Sequence, residues 1–441
     1  LVVLSSVAVG DIDLPALEST SLLDESTSPS PETSDLPSFV PMPLIEPSNR
    51  GAHETAASDP PGSTAAFDAP VHPQPSATPT PAQPSNGDTA SPGGGSGPTA
   101  AAPTTAPATP TGQIAASDPR VGGDYILVSR QRLVSLPTSG AAWSNMVAHA
   151  DGNLGSPNLG DMNQENNVRV LAASLVFART GDPSYRLKVL DQLKAAVGSE
   201  GGSALALARE AAAYALAADF VVLRELDPAF DTNVFRPWLR SLLTKTIEDR
   251  TLQSTHEDRA NNWGTHAGAS RAAIAAYLGD GAELARVAQV FRGWVGDRAS
   301  YAGFSYGELD WQSNPSAPVG INPPGATING VNVDGALPEE MRRGGGFQWP
   351  PASTDYPWGA LEGATLQAEI LHRHGYDAYG WGSGAMLRAV RFLFEQAQWR
   401  PAGNDQWVFW VIDYRYGTAY RAAAPIAPGK NFGWSDWLYA P

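Results

Sequence analysis

The chain contains no cysteine. Disulfides, thiolate nucleophiles and cysteine-based zinc sites are therefore excluded, whereas export is not. Long apolar runs are also missing. Residues 1–9 are apolar but too short to span a bilayer, and residues 1–10 read as the remnant of a signal peptide or truncated anchor. Positive charge is scarce: 29 Lys and Arg stand against 45 Asp and Glu, for a net charge of −16. A non-specific nucleic-acid binder needs a basic face, so no nucleic-acid partner is expected.

Tryptophan is absent from residues 1–115, and all 13 lie beyond them. That first stretch is dominated by Pro, Ser, Thr, Ala and Gly. It cannot bury enough apolar surface to offset its ordering entropy, so it is expected to be a disordered segment or linker. It carries 12 of the acidic residues and a single Arg, Arg50, which leaves 33 acidic and 28 basic residues for 116–441. The acidity is thus mainly a property of the tail. The Pro/Thr/Ser tracts resemble linkers of exported carbohydrate-active enzymes, and a secreted, extracellular or periplasmic location follows as an expectation.

Residues 116–441 suffice for one large core. Apolar spacing predicts helices over 141–150, 163–180, 185–197, 204–226, 232–249, 262–278 and 282–296. Helical signals return over 337–343, 358–374, 384–398 and 406–416. Residues 297–335 are rich in Gly, Pro and Asn, and a loop of that length is uncommon without a function. Clear β alternation is rare. Helices joined by short Gly/Asp/Pro turns predict an all-α fold, an (α/α) toroid or incomplete barrel of antiparallel helix pairs.

Three clusters can carry chemistry. In Arg259-Ala260-Asn261-Asn262-Trp263-Gly264-Thr265-His266, polar groups crowd the mouth of an apolar helix. Asn261 suits an N-cap. Asn262 and His266 are one turn apart and can point to one side. An amide can donate to a carboxylate, and neutral His can act as a base. In Asp334-Gly335-Ala336-Leu337-Pro338-Glu339-Glu340-Met341-Arg342-Arg343, a capped surface helix competes with a carboxylate clamp in which Glu340 orients an Arg. In Tyr356-Pro357-Trp358-Gly359-Ala360-Leu361, a tyrosine stands at a helix entrance, where it can exchange protons or simply pack.

Together these clusters resemble the alginate lyase family of polysaccharide lyases. Its members carry an Asn-Asn-His-type motif, an Asp-Gly-x-Leu-Pro-x-Glu-x-x-Arg motif, and a Tyr followed by Ala-Leu. Asn261-Asn262 match the first. Asp334, Gly335, Leu337, Pro338, Glu340 and Arg343 match the second, and Tyr356 with Ala360 and Leu361 matches the third. The likeness spans roughly 140–400. Two departures stand out: Trp263 replaces the usual His, with His266 nearest, and the stretch from Arg343 to Tyr356 is longer than usual.

The resemblance implies an (α/α)-toroid catalytic domain over 116–441 that cleaves a 4-linked uronic-acid polysaccharide by β-elimination. Alginate, polymannuronate and glucuronan are the candidate substrates. The implied catalytic residues are Tyr356, His266, Asn262 and Arg343. Asn261, Trp263, Arg259, Arg342, Glu340, Tyr301, Tyr306 and Trp358 are candidates for holding the sugar, with Tyr301 and Tyr306 also rivals of Tyr356. If base and acid lie on one face of the sugar, one Tyr serves as both. If they lie on opposite faces, His266 is the base and Tyr356 the acid. Neither a metal nor a cofactor is required. An anionic polysaccharide is the expected partner, no membrane span is expected, and a monomer is expected. Two rival readings remain. One is an α/α-barrel glycoside hydrolase using two of Glu308, Asp310, Asp334 and Glu339. The other is an inactive glycan-binding toroid.

Overall fold

The computed structural model describes residues 124–441. The expected segment and signal remnant over 1–115 lie outside them, as do residues 116–123 of the expected catalytic domain. In chain order the helices are α1 (Arg130–Ser135), α2 (Ala141–Asp151), α3 (Asn166–Thr180), α4 (Pro183–Ala196), α5 (Ala204–Phe220), α6 (Leu223–Leu226), α7 (Pro228–Phe230), α8 (Arg236–Leu242), α9 (Leu252–Asp258), α10 (Asn262–Leu278) and α11 (Gly281–Trp294). They continue with α12 (Pro338–Met341), α13 (Tyr356–Arg373), α14 (Trp381–Arg391), α15 (Trp407–Tyr416) and α16 (Ser435–Leu438). Among the described residues the strands are β1 (Thr327–Ile328) and β2 (Val331–Asn332), an antiparallel pair inside the long loop. The fold is all-α.

Its helices form two layers. The inner set is α3, α5, α10 and α13, each packed against the next in that order. All of α5 is buried, as is nearly all of α10. Their sequences explain this. Both are alanine-rich with no wide polar face, and a helix apolar all round belongs inside a structure. The outer set includes α2, α4, α9 and α11. In α4 only Val189, Leu190, Leu193 and Ala196 are buried, a single face at helical spacing. The ring closes where α16 returns to α2, with Trp437 against Trp143 at 5.3 Å.

Local chemistry sets the helix ends. Asp182 caps α4 with Pro183 as its first residue, and left-handed Gly181 ends α3. The expected helix over 232–249 is broken. A π-helical turn at Asp231–Phe235 leads into α8, and a turn through Glu248 and Asp249 with positive φ ends the run.

The contact between α10 and α13 positions the site. It is close because glycine lies on it: a Cβ at Gly363 would stand 2.4 Å from the backbone nitrogen of His266. Gly363→Ala is expected to force the two helices apart and to destabilise the fold by about 1–3 kcal/mol or more, read as a fall in the denaturation midpoint. An unchanged midpoint would show that this contact yields easily. Among the described residues, no helix is long and apolar enough to cross a membrane.

Candidate active site

The site is built at the N-terminal ends of α10 and α13, with α12 between them. Asn261 is the N-cap of α10, its side-chain oxygen accepting from the Trp263 N–H at 3.1 Å. Asn262 is the first residue of the helix. Its backbone N–H donates to Glu340 Oε1, while its own Oδ1 is buried without a partner. A Cβ at Gly359, in the first turn of α13, would lie 3.9 Å from Asn262 Nδ2, so the amide nitrogen borders that helix.

Glu340 is fully buried on α12. Burial pushes its carboxyl up to about 8, against the opposing pull of the Asn262 N–H and Arg343. It does not hold Arg343 in an ion pair, so the expected Arg-orienting clamp is corrected. Glu340 fastens α12 to the start of α10 instead.

Arg343 lies in the 3₁₀ turn Arg342–Gly344, just after α12. Its guanidinium carbon stands 4.3 Å from the centre of the Tyr356 ring. Among the described residues Arg343 has no ion pair or hydrogen bond. Tyr356 is the first residue of α13 and is half-buried. Its hydroxyl likewise has no hydrogen bond among the described residues. Gly359 is three residues further on, about 4.5 Å along the helix axis. The Asn262, Arg343 and Tyr356 motifs, separated by some 80 and 13 positions in the sequence, therefore converge on one place.

Other expected residues lie elsewhere. His266 is on the same side of α10 as Asn262 but one turn deeper, with no exposed surface. Both ring nitrogens are unpartnered, and Nε2 is 4.0 Å from Glu362 Oε2. Burial, reinforced by Arg209 and Lys430, drives its pKa well below the usual range. A sugar proton cannot reach it, so its role as a base touching substrate is corrected. Arg342 is held by Glu308 and Glu339, each at 2.5 Å, and anchors the loop instead of a sugar. Trp358 is buried against Phe409 at 5.2 Å, which makes it core. Tyr301 donates its hydroxyl to the Glu257 carbonyl at 2.5 Å beneath Arg286, and burial raises its pKa. Tyr306 is largely buried beside Phe304, and that burial raises its pKa too. Neither rival tyrosine meets Arg343 as Tyr356 does.

Trp263 is half-buried on Met162, Leu205 and Ala206. Arg259 is partly exposed, 3.7 Å from Asp258, with its backbone bridged to Ser305. Two residues escaped the sequence reading. Glu362 faces His266 and accepts from the Trp407 indole at 2.9 Å. Gly359 leaves room beside Asn262, and its place in Tyr-Pro-Trp-Gly was the only signal for it. Three of the four hydrolase carboxylates are engaged, Glu308 and Glu339 on Arg342 and Asp334 on Arg388 at 2.6 Å, which leaves Asp310 without a second carboxylate free to work with it.

Residues 170–310 match the family model described as alginate lyase. Over that stretch the chain is similar to the alginate lyase family. That family is one of polysaccharide lyases. The matched stretch holds the Asn261-Asn262 end of the site, while Arg343 and Tyr356 lie beyond it. A search of the curated proteins finds no match. Among solved structures the chain is similar to an alginate lyase from Bacteroides ovatus, at 16% identity and a TM-score of 0.41, covering 64% of this chain and 74% of that one.

Proposed function

We propose that this alginate lyase homologue cleaves a 4-linked uronic-acid polysaccharide, alginate or glucuronan, by β-elimination. The observation that carries the reading is the unpaired Arg343 guanidinium lying 4.3 Å from the ring of Tyr356 beside Asn262. The proton at C5 of a uronate is weakly acidic, because removing it drives charge onto the neighbouring carboxylate. That charge must be met before a side chain can take the proton. Arg343 supplies a full positive charge in a fork that fits a carboxylate. Asn262 adds a neutral amide at a helix N-terminus, where negative charge is favoured.

In its deprotonated form the Tyr356 oxygen takes the C5 proton. The electron pair of that bond forms the C4–C5 double bond, and the C4–O4 bond breaks. The same phenol then gives its proton to the departing O4. The product is an unsaturated uronate end and a new chain end. Burial of His266 favours this one-face route over a route with separate base and acid. The Pro/Ser/Thr-rich tract before the domain supports export.

The test is to incubate the full chain with alginate, polymannuronate and glucuronan and to follow ultraviolet absorbance of the unsaturated product. Absorbance with at least one polymer is expected. New reducing ends without absorbance would support a hydrolase, and binding without product an inactive glycan binder. Arg343→Ala is expected to lower kcat/KM by about 10²–10³-fold, the effect of removing one donor to a developing oxyanion. Retention of full kcat/KM would remove Arg343 from the mechanism.

A further inference from the structure

A second cluster of arginines lies at the other end of α13. There Arg132 of α1, Arg373 at the C-terminus of α13, and Tyr414 and Arg415 of α15 line an open pocket with Tyr439. Seventeen residues separate Arg373 from Tyr356, about 25 Å along the helix. The pocket is therefore remote from the proposed reaction.

Its charges do not balance. Arg415 grips Glu369 through two hydrogen bonds, and Arg373 meets Asp124 at 3.0 Å. Arg132 donates only to the backbone carbonyl of Ala440. Three guanidiniums thus face two carboxylates among the described residues. Arg132 and Arg415 flank the exposed Tyr414 ring at 5.5 and 5.2 Å, which fixes their positions.

Donors also remain unused. Arg132 Nε and Arg373 Nε are buried with no hydrogen-bond partner, whereas the Tyr439 hydroxyl is turned to the Glu369 carboxylate. A buried donor left unmade is costly. The dipole of α13 explains a cation at Arg373. It does not explain Arg132.

We propose that this pocket binds an oxyanion. Guanidinium forks suit the carboxylate of a uronate and equally the oxygens of free phosphate or sulfate. The inference does not rest on the reaction proposed for Tyr356, and its test is independent of catalysis.

The experiment is calorimetric titration of the full chain at constant ionic strength with glucuronate, inorganic phosphate and sulfate, repeated on Arg132→Gln and on Arg343→Ala. Binding of at least one probe is expected to persist in Arg343→Ala, which removes only a uronate held at the proposed active site, and to be weakened roughly tenfold or more in Arg132→Gln. A response to glucuronate alone assigns the site to a sugar carboxylate. A response to phosphate or sulfate assigns it to a free tetrahedral anion. No binding by any probe overturns the proposal, as does binding that survives Arg132→Gln and vanishes in Arg343→Ala. Should Arg132→Gln fail to fold, Arg132→Lys keeps the charge but loses the fork. It is then expected to weaken binding less than tenfold, and no weakening overturns the proposal.

Discussion

Tyr356→Phe is expected to abolish most turnover while leaving the fold and substrate affinity nearly intact. The substitution removes one oxygen. The ring that packs beneath the Arg343 guanidinium, 4.3 Å away, stays in place. The hydroxyl has no hydrogen bond to break among the described residues, so no buried partner is orphaned. What disappears is the atom proposed to take the C5 proton and return it to O4. A positioned proton-transfer group contributes about 10²–10⁴-fold, and here one group is asked to act twice. The expected loss in kcat is therefore at the upper end of that range, with KM changed little. Initial rates of ultraviolet absorbance on the best polymer measure it. Full activity in Tyr356→Phe would move the proton transfer to another group.

Much of this arrangement was legible before the fold was known, and the exceptions are instructive. The alanine-rich stretch after Asn262 announced a buried helix, since no polar face remained to meet water. Helix α9 escaped because its seven residues show no apolar periodicity. It is held by the capping box of Thr251 and Ser254 and by burial of His256. His266 was misplaced for a geometric reason. Spacing of four on a helix gives direction but not depth, and one further turn carries the ring beneath the surface. Arg342 and Arg343 were indistinguishable as neighbours. Only the fold brings Glu308, 34 residues earlier, onto one and leaves the other open. Trp358 looked like a sugar platform because it sits beside Tyr356, yet the helix turns it toward Phe409.

Glu340 supplies the second large effect, on stability rather than rate. Its carboxyl is fully buried, and Oε2 has no partner. Burial raises it from 4.5 to about 8 in the folded protein. Below about pH 4 the carboxyl is protonated in folded and unfolded chains alike, and pH has no effect through it. Between the two values the folded chain keeps a proton that the unfolded chain has released. Each rise of one pH unit then favours unfolding by about 1.4 kcal/mol, until the folded carboxyl also ionises near 8. Across that window the loss is on the order of 3–5 kcal/mol. Glu340→Gln keeps the shape and an oxygen to accept the Asn262 N–H but cannot ionise. Denaturant unfolding at several pH values from about 5 to 9 should show wild type losing ground to this variant as pH rises. Glu362, raised to about 7, titrates in both proteins and cancels in the comparison. A pH-independent difference would mean that Glu340 ionises at its ordinary value, paired with Arg343 after all. Arg343 would then be less available to a substrate carboxylate, so the same measurement bears on the proposed chemistry.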